Sequence, residues 1–412
     1  MPVAASKVRV IPRPIHPFPA RMAARIPWRE LSSRKGRRLR VLDPMAGSGT
    51  TLVVARTLGH VAMGFDTDPL AVLIARAWCA DVAGDDLTKV ASRVQERAAR
   101  AARRLALRDA YPPGADEETR AFVRYWFDQT NRRQLVALSR AISRVRDRSQ
   151  RTLLWCAFSR LIITKQASAS LALDLAHSRP HRPVEYKKPI RPLDHFLRAV
   201  RTIVEAAPFT AAQGRPQASV KTGDARRLPV ESSTIDIVIT SPPYLNAIDY
   251  LRGHKFSLIW MGHALRPLRQ LRAQNIGTEV SAGADLQNPV IAEGLRRMGS
   301  LGSLGEREKG MLARYVADMD GALSEIARVL VPRGRAVLVV GDCSMRGVYV
   351  RNSRALAFLC ERHGLRVATV RRRQLPPNRR YLPPPSSRSS GRMLRNRLRN
   401  EVLLTVTKPH RR

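Results

Sequence analysis

The chain has 412 residues, of which 44% are hydrophobic, enough for one large or two ordinary domains with a proper core. It carries 73 Lys and Arg against 33 Asp and Glu, a formal net charge of +40, and such an excess points to a polyanionic partner, nucleic acid first. No apolar run of about 20 residues is present and no signal peptide opens the chain, which argues against a membrane or secreted protein. Cys79, Cys156, Cys343 and Cys360 are scattered without paired spacing, so the expectation is a reducing, cytoplasmic setting and no metal site.

Residues 1–30 are rich in proline and read by default as a mobile leader, with Ile15-His16-Pro17-Phe18-Pro19-Ala20 entering a short helix-like segment from Arg21. Val41-Leu42 predicts a short strand. The turn after it, Asp43-Pro44-Met45-Ala46-Gly47-Ser48-Gly49-Thr50-Thr51, leads into an apolar helix from Leu52 to Leu58. Small residues between strand and helix let backbone approach a ligand at the positive end of the helix dipole. The turn lacks the Gly-Lys-Ser/Thr ending of a phosphate loop and the Gly-x-Gly-x-x-Gly spacing of a dinucleotide site. A second strand, Val61 to Phe65, ends in Asp66, placed to accept hydrogen bonds from ribose hydroxyls. Asp68 reads as the N-cap of a helix starting near Pro69. These features point to an adenosine-containing ligand without a pyrophosphate anchor, which fits S-adenosylmethionine; a plain glycine turn is the alternative.

From Asp81 to about Ala218 the strand–helix alternation lapses. Val90, Val94, Ala98, Ala101 and Leu105 recur at helical spacing with Arg93, Arg97, Arg100, Arg104 and Arg108 beside them, a helix with a basic stripe. Leu135, Leu138, Ile142 and Val145 repeat the pattern, and Leu153 to Ile163 reads as a buried helix. The stripe is either a solvated face or a phosphate-contacting one, and the net charge favours phosphate. The basic loop Ser178-Arg179-Pro180-His181-Arg182-Pro183 closes this segment.

Alternation resumes with a strand from Ala218 to Thr222 ending in Gly223-Asp224, where the acid either accepts from an adenine amino group or makes a simple turn. The β-branched run Ile235 to Ile239 then stops in Thr240-Ser241-Pro242-Pro243-Tyr244, a buried strand running into a rigid loop. That loop fixes the Ser241 side chain, the Pro242 carbonyl and the Tyr244 ring at the carboxyl end of a strand, where open parallel sheets bind ligands. Two acceptors set against a nucleobase amine favour a more nucleophilic nitrogen and stabilise its developing positive charge, while the aromatic ring stacks on an extruded base. The segment from Asn246 to Gly262 lines the base entrance or packs as a helix, with Asp249 and Arg252 as its exposed members. Residues 265–310 read as a mobile or substrate-contacting insertion. A helix from Tyr315 to Leu330, a stop at Pro332-Arg333-Gly334, a strand from Ala336 to Val340, a helix from Ser353 to His363 and strands over Leu365–Val370 and Glu401–Thr407 complete the series. The basic run Arg371 to Asn400 reads as a long ligand-touching loop.

The expected fold is therefore α/β, a Rossmann-like doubly wound sheet with an antiparallel final strand plus a helical insertion. Its expected divisions are residues 1–80 with the glycine turn, 81–217 as the basic helical insertion, and 218–412 with the Pro-Pro loop. The first strand and the Ser241 strand should lie side by side at the reversal of strand order, so that both loops face one crevice.

On these motifs the chain resembles the amino-group DNA methyltransferases, which use S-adenosylmethionine to methylate cytosine N4 or adenine N6. Asp43-Pro44-Met45-Ala46-Gly47-Ser48-Gly49-Thr50 is similar to their cofactor motif, with Met45 where an aromatic is usual, and Ser241-Pro242-Pro243-Tyr244 to their catalytic motif. The Ser form is more typical of the cytosine-N4 members. The resemblance implies that Phe18, in the segment from His16 to Ala20, helps cover the methionine end of the cofactor, that Asp66 holds the ribose and that Asp224 holds the adenine. It also implies direct transfer to a flipped base, with Ser241, Pro242, Pro243 and Tyr244 as catalytic residues and no covalent intermediate. A companion restriction enzyme is a property of such systems that these residues leave open. The rivals are adenine-N6 methylation, an RNA guanine- or adenine-amine methyltransferase, a protein glutamine methyltransferase, and a basic DNA-binding protein that keeps the fold without catalysis.

Overall fold

The computed structural model describes residues 11–19, 21–33, 37–164, 167–173, 175, 181, 188–207, 216–245, 250–278, 285–375 and 400–410. Its strands are β1 (Arg40–Asp43), β2 (Val61–Asp66), β3 (Ser219–Thr222), β4 (Ile235–Thr240), β5 (Leu330–Gly341), β6 (Cys343–Met345), β7 (Val348–Val350), β8 (Arg366–Gln374) and β9 (Asn400–Thr407). Seven of them form one sheet in the order β3-β2-β1-β4-β5-β9-β8, and β6 and β7 make a separate hairpin. β1 to β5 pair in parallel, and β9 runs antiparallel between β5 and β8. The strand order reverses between β1 and β4, which pair directly with Val41 opposite Ile237 and Leu42 opposite Val238.

Alternation along the central strands divides the interior. Val41, Ile237, Ile239, Val337 and Val339 join an apolar cluster on one face. Leu42, Val238, Leu338 and Val340 join a second cluster on the other. The first face is covered by α1 (Arg25–Ser32), α2 (Thr50–Thr57), α3 (Pro69–Trp78) and a group of five helices: α4 (Gly84–Arg104), α5 (Glu117–Trp126), α6 (Gln129–Ser143), α7 (Arg148–Arg160) and α8 (Pro192–Ala206). α9 (Tyr250–Leu258) and α10 (Leu265–Gln274) pack on that side as well, while α11 (Pro289–Met298), α12 (Glu306–Val329) and α13 (Asn352–Arg362) cover the second face. No helix among the described residues is long and apolar enough to cross a membrane.

Several expected boundaries shift. On α4 the buried stripe is Leu87, Ala91, Val94, Ala98 and Ala102, one position away from the expected Val90 and Ala101. The arginines at 93, 97, 100 and 104 are exposed, as a basic stripe requires. Residues 265–310, expected as a mobile or substrate-contacting insertion, are largely helical among the described residues. They hold α10, α11 and the first turn of α12, and α11 opens on an Asn288 side chain that accepts from Val290 N–H (3.0 Å), with Pro289 at the first helical position. Ile291 and Met298 anchor it in the core. Pro332-Arg333-Gly334 does not stop the chain but forms a bulge within β5: Arg333 has φ +64°, and the register jumps from Ile235 opposite Leu330 to Ile237 opposite Arg335. β8 runs to Gln374, because an exposed edge strand can carry Arg371, Arg372 and Arg373. Residues 376–399, most of the expected basic loop, and Asp249 lie outside the described residues, as does most of the loop from 178 to 183.

Candidate active site

The glycine turn is built by two backbone bonds. Ala46 N–H donates to the Phe65 carbonyl and Gly49 N–H to the Ala46 carbonyl, each at 2.8 Å. Gly47 and Gly49 have φ of +50° and +86°, the left-handed region that favours glycine. Pro44, Ala46, Ser48 and Thr50 are buried within the turn, and Met45 packs half-buried against the second cluster.

Phe18 lies over this turn. Its Cε1 is 3.6 Å from where a Cβ on Gly47 would sit. The leader around it is docked rather than mobile: Ile15 is fully buried, Arg160 Nη1 donates to the Ile15 carbonyl (2.7 Å), and the His16 Nε2 and Ser159 Oγ atoms are 2.9 Å apart. Burial first, and then the Arg160 guanidinium, hold the His16 pKa well below the usual histidine value. The end of α7 thus braces the segment that covers the turn, a link across about 140 residues that no local pattern signals.

At the end of β2, Asp66 Oδ2 accepts from Gly47 N–H (2.7 Å) and Oδ1 from Asp68 N–H (2.9 Å). One further lone pair remains on each oxygen, the arrangement needed to accept two ribose hydroxyls. Burial, with the Asp68 carboxylate second, pushes the Asp66 carboxyl up to about 7. A carboxyl raised in the folded state gives stability that is complete below its ordinary value and is lost as pH rises through about 7. Raising the pH from about 5 to about 8 is therefore expected to shift the Tm difference between Asp66→Asn and the wild type in the variant's favour. Nucleoside affinity of the wild type should climb over the same interval as the better acceptor forms. Thermal melts and titration calorimetry at matched ionic strength check both.

Asp68 is the N-cap of α3, as the sequence indicates, with Leu70 N–H at 2.9 Å from Oδ1. Its other oxygen meets His254 Nδ1 at 2.5 Å. His254 and Tyr250 on α9 pack against Phe18, with ring centroids 5.2 and 5.3 Å away, so this aromatic segment packs as a helix behind the site. Asp224 is engaged by Arg226, whose Nε and Nη2 donate to its two oxygens at 3.0 and 2.6 Å, and whose Nη1 reaches Asp318 at 2.5 Å. This pairing holds the Asp224 carboxyl below the usual carboxylate value against the opposing effect of burial. The Gly223-Asp224 turn still reaches the crevice floor, with Gly223 N–H donating to the Asp66 carbonyl (3.1 Å).

The Pro-Pro loop meets the glycine turn directly. Thr240 Oγ1 donates to Asp43 Oδ1 at 2.6 Å, and Thr51 Oγ1 to the Ile239 carbonyl at 3.0 Å. Burial pushes the Asp43 carboxyl up to about 6 against the pull of these donors. Asp43 therefore joins the two loops, whereas Asp66 is held by the glycine turn and the start of α3. Ser241 Oγ donates to the Val339 carbonyl (3.1 Å) and also meets the Tyr244 side chain, which leaves its oxygen room to accept one further hydrogen bond. The Tyr244 ring lies on Gly341, where a Cβ would be 3.0 Å from its Cδ2. The Tyr244 hydroxyl donates to Glu401 Oε1 (3.2 Å), and Arg373 pairs with the second oxygen of Glu401 (2.5 Å). Burial, then the Glu401 charge, hold the phenol well above its ordinary pKa, so it stays protonated and fixes the ring rather than acting as a base. Glu401 lies 157 residues from Tyr244, and no sequence spacing could have paired them.

Gly341→Ala is expected to displace the Tyr244 ring and cut turnover roughly tenfold while cofactor affinity is kept, since sub-ångström misplacement of a positioning group is costly. Steady-state kinetics beside a cofactor titration test this.

Parallel strands reversing between β1 and β4, with β9 inserted antiparallel near the far edge, decide the architecture. It is the Rossmann-like methyltransferase fold. No family model matches the chain. In sequence it is 24% identical over 277 residues to the Type II methyltransferase M.BsoBI of Geobacillus stearothermophilus, covering 60% of this chain and 52% of that protein. The chain thus spans about half the length of that curated relative. Among solved structures, YcgJ of Bacillus subtilis superposes with a TM-score of 0.34 at 10% identity, over 94% of this chain and 100% of YcgJ. An S-adenosylmethionine-dependent methyltransferase of Methanosarcina mazei gives 0.33 at 9% identity, over 93% and 98%. TTHA0409 of Thermus thermophilus, a candidate DNA modification methylase solved with S-adenosylmethionine, gives 0.24 at 19% identity, over 46% of this chain and 55% of its own. With its two motifs on one edge of this methyltransferase fold, the chain resembles the amino-group methyltransferases.

Proposed function

We propose that this chain methylates an exocyclic amino group in DNA, cytosine N4, with S-adenosylmethionine as methyl donor. The observation that carries the reading is the Thr240–Asp43 hydrogen bond, which sets a nucleoside-type glycine turn and an amine-activating Ser-Pro-Pro-Tyr loop at one strand-end crevice. The residues present fit the cofactor. Gly47 leaves backbone without a Cβ beneath the Phe18 ring, Gly49 lets the turn close against α3, Asp66 keeps two free lone pairs for ribose hydroxyls, and Phe18 supplies an apolar cover. Pro44, Ala46, Ser48 and Thr50 shape the turn, and Asp224 borders the adenine side through Gly223. When bound, the cofactor supplies an electrophilic methyl group on a sulfonium.

The chain's own part is to orient and polarise the acceptor. Ser241 Oγ, its proton already given to Val339, accepts one N–H of the base amine, and the Pro242 carbonyl accepts the other. Positive charge developing on the acceptor nitrogen would lie between these two oxygens, which would stabilise it, and the surplus amine proton would pass to solvent. Pro243 keeps the loop rigid, and Tyr244, its ring fixed by Gly341 and Glu401, offers the stacking surface. The net charge of +40 supports a polynucleotide substrate. Nucleoside mass spectrometry of DNA from cells expressing the protein should show N4-methylcytosine. N6-methyladenine would reassign the base, and unmodified DNA with methylated RNA would overturn the substrate.

A further inference from the structure

We propose that an arginine-lined cavity beside the catalytic edge grips the phosphodiester backbone of duplex DNA flanking the methylated base. This rests on the DNA reading above and adds a second point of contact to it. The cavity, of about 760 Å³, runs from the end of α11 along α13 to Val367 on β8, with Arg296, Arg297, Arg351 and Arg354 on its walls and Arg351 and Arg354 at the end nearer the Pro-Pro loop.

A short path of bonds ties the cavity to the catalytic loop. Tyr244 rests on Gly341. The next residue, Asp342, accepts from Ser353 N–H (2.8 Å) and Ser353 Oγ (3.1 Å) in the first turn of α13. Arg351 N–H in turn donates to the Met298 carbonyl at the end of α11 (2.8 Å). The two helix ends that frame the cavity are therefore fixed with respect to the Tyr244 ring, so that a strand held in one is presented in register to the other.

The charge on the walls is only partly balanced. Arg296 and Arg297 share the Glu293 carboxylate, at 2.6 and 2.5 Å, and Glu361 is the acid on the opposite wall. Arg351 lies over the Tyr349 ring, 5.8 Å from its centroid, and Arg354 is exposed. Neither Arg351 nor Arg354 forms an ion pair among the described residues. Two planar guanidinium forks without carboxylate partners match the geometry of phosphate oxygens. Tyr349, 50% exposed on the β6–β7 hairpin beneath Arg351, adds an aromatic surface of the kind that nucleic-acid sites use.

The test uses the full chain, with Arg351→Gln/Arg354→Gln as a double variant and Arg354→Glu, an exposed position, as a second variant in case the first does not fold. Binding of a fluorescent duplex is followed by anisotropy across a salt series, beside S-adenosylmethionine titration and thermal melting. The expected result is a log–log salt dependence shallower by about 2 in the double variant and by about 1 in Arg354→Glu, since each lost phosphate contact removes about 0.9. Cofactor affinity and melting should stay as in the wild type. A wild type that methylates duplex DNA while both variants keep its salt slope overturns the cavity assignment alone. A wild type that transfers no methyl group to DNA overturns the reading beneath it. Tighter binding of an RNA hairpin than of the duplex, lost in the variants, would replace DNA as the partner.

Discussion

Ser241→Ala is expected to lower single-turnover methyl transfer by about 10²–10³-fold, the usual cost of removing one preorganised group that stabilises transition-state charge. In the structure the Ser241 proton points at the Val339 carbonyl, 3.1 Å away. The oxygen is thus left to act as an acceptor, the polarity required by an amine that becomes more positive as it reacts. Alanine removes that acceptor together with the hydroxyl's bond to the Val339 carbonyl. Cofactor affinity, which the proposal assigns to the glycine turn and Asp66, should change less than twofold, about 0.4 kcal/mol. Tyr244→Ala should fall further, because it removes the stacking surface and the phenol donor to Glu401. Tyr244→Phe retains the ring and should recover most of the rate. Rapid-quench transfer from labelled cofactor, beside calorimetric cofactor binding, separates these effects. Full activity in Ser241→Ala would show that the amine is held by other groups.

Much of this site is legible from short-range signals. Gly47 and Gly49 crowd a strand–helix junction, Ser241 to Tyr244 end a β-branched run, and both signals depend on residues within one turn of each other. The pairing of β1 with β4 follows from the right-handed crossover rule once the strands are recognised. Contacts made at long range leave no such trace. His16 with Ser159, Tyr244 with Glu401 and Asp224's neighbour Arg226 with Asp318 join residues 92 to 157 positions apart. The same blindness hid the docked leader: proline-rich composition describes backbone stiffness, whereas Ile15 and Phe18 are held by burial against α7 and α9. The missed helices over 265–310 have a different cause. α10 buries only Leu265 and Leu268, too few apolar positions for a 3.6-residue period to stand out.

These long-range contacts give the five-helix group a mechanical role that its composition did not suggest. Its end at Arg160 holds the Ile15 carbonyl, Ile15 leads to Phe18, and Phe18 closes over Gly47. α9 supports the same ring from behind through Tyr250 and His254, and His254 is tied to the Asp68 cap one residue beyond Thr67. Phe18, the Asp68 cap and α9, which follows the Pro-Pro loop, therefore share one buried layer. Substitutions in α7 should accordingly be felt in cofactor affinity before they are felt in the chemical step.

Gly49→Ala is expected to abolish cofactor binding and to destabilise the fold by about 2–5 kcal/mol, the sum of two separate penalties. The first is conformational. Gly49 sits at φ +86°, where a side chain costs about 1–2 kcal/mol. The second is steric. A Cβ at this position would lie 2.7 Å from the Ala75 Cβ and 2.9 Å from the Ala75 Cα. The obstacle is backbone of α3, which cannot rotate aside as a flexible side chain would, and such overpacking costs about 1–3 kcal/mol. Gly59→Ala separates the two. Gly59 has φ +88° with nothing within 4 Å of its would-be Cβ, so it incurs the conformational penalty alone and lies outside the turn. Chemical denaturation of both variants should place Gly59→Ala nearer the wild type, with cofactor binding intact. Because α3 carries the Asp68 cap at its start, a shift of α3 in Gly49→Ala also moves the Asp68 N–H away from Asp66 Oδ1, now 2.9 Å apart. The loss of nucleoside affinity should therefore exceed the loss of stability, and equal losses would show that Ala75 contacts the turn without positioning Asp66.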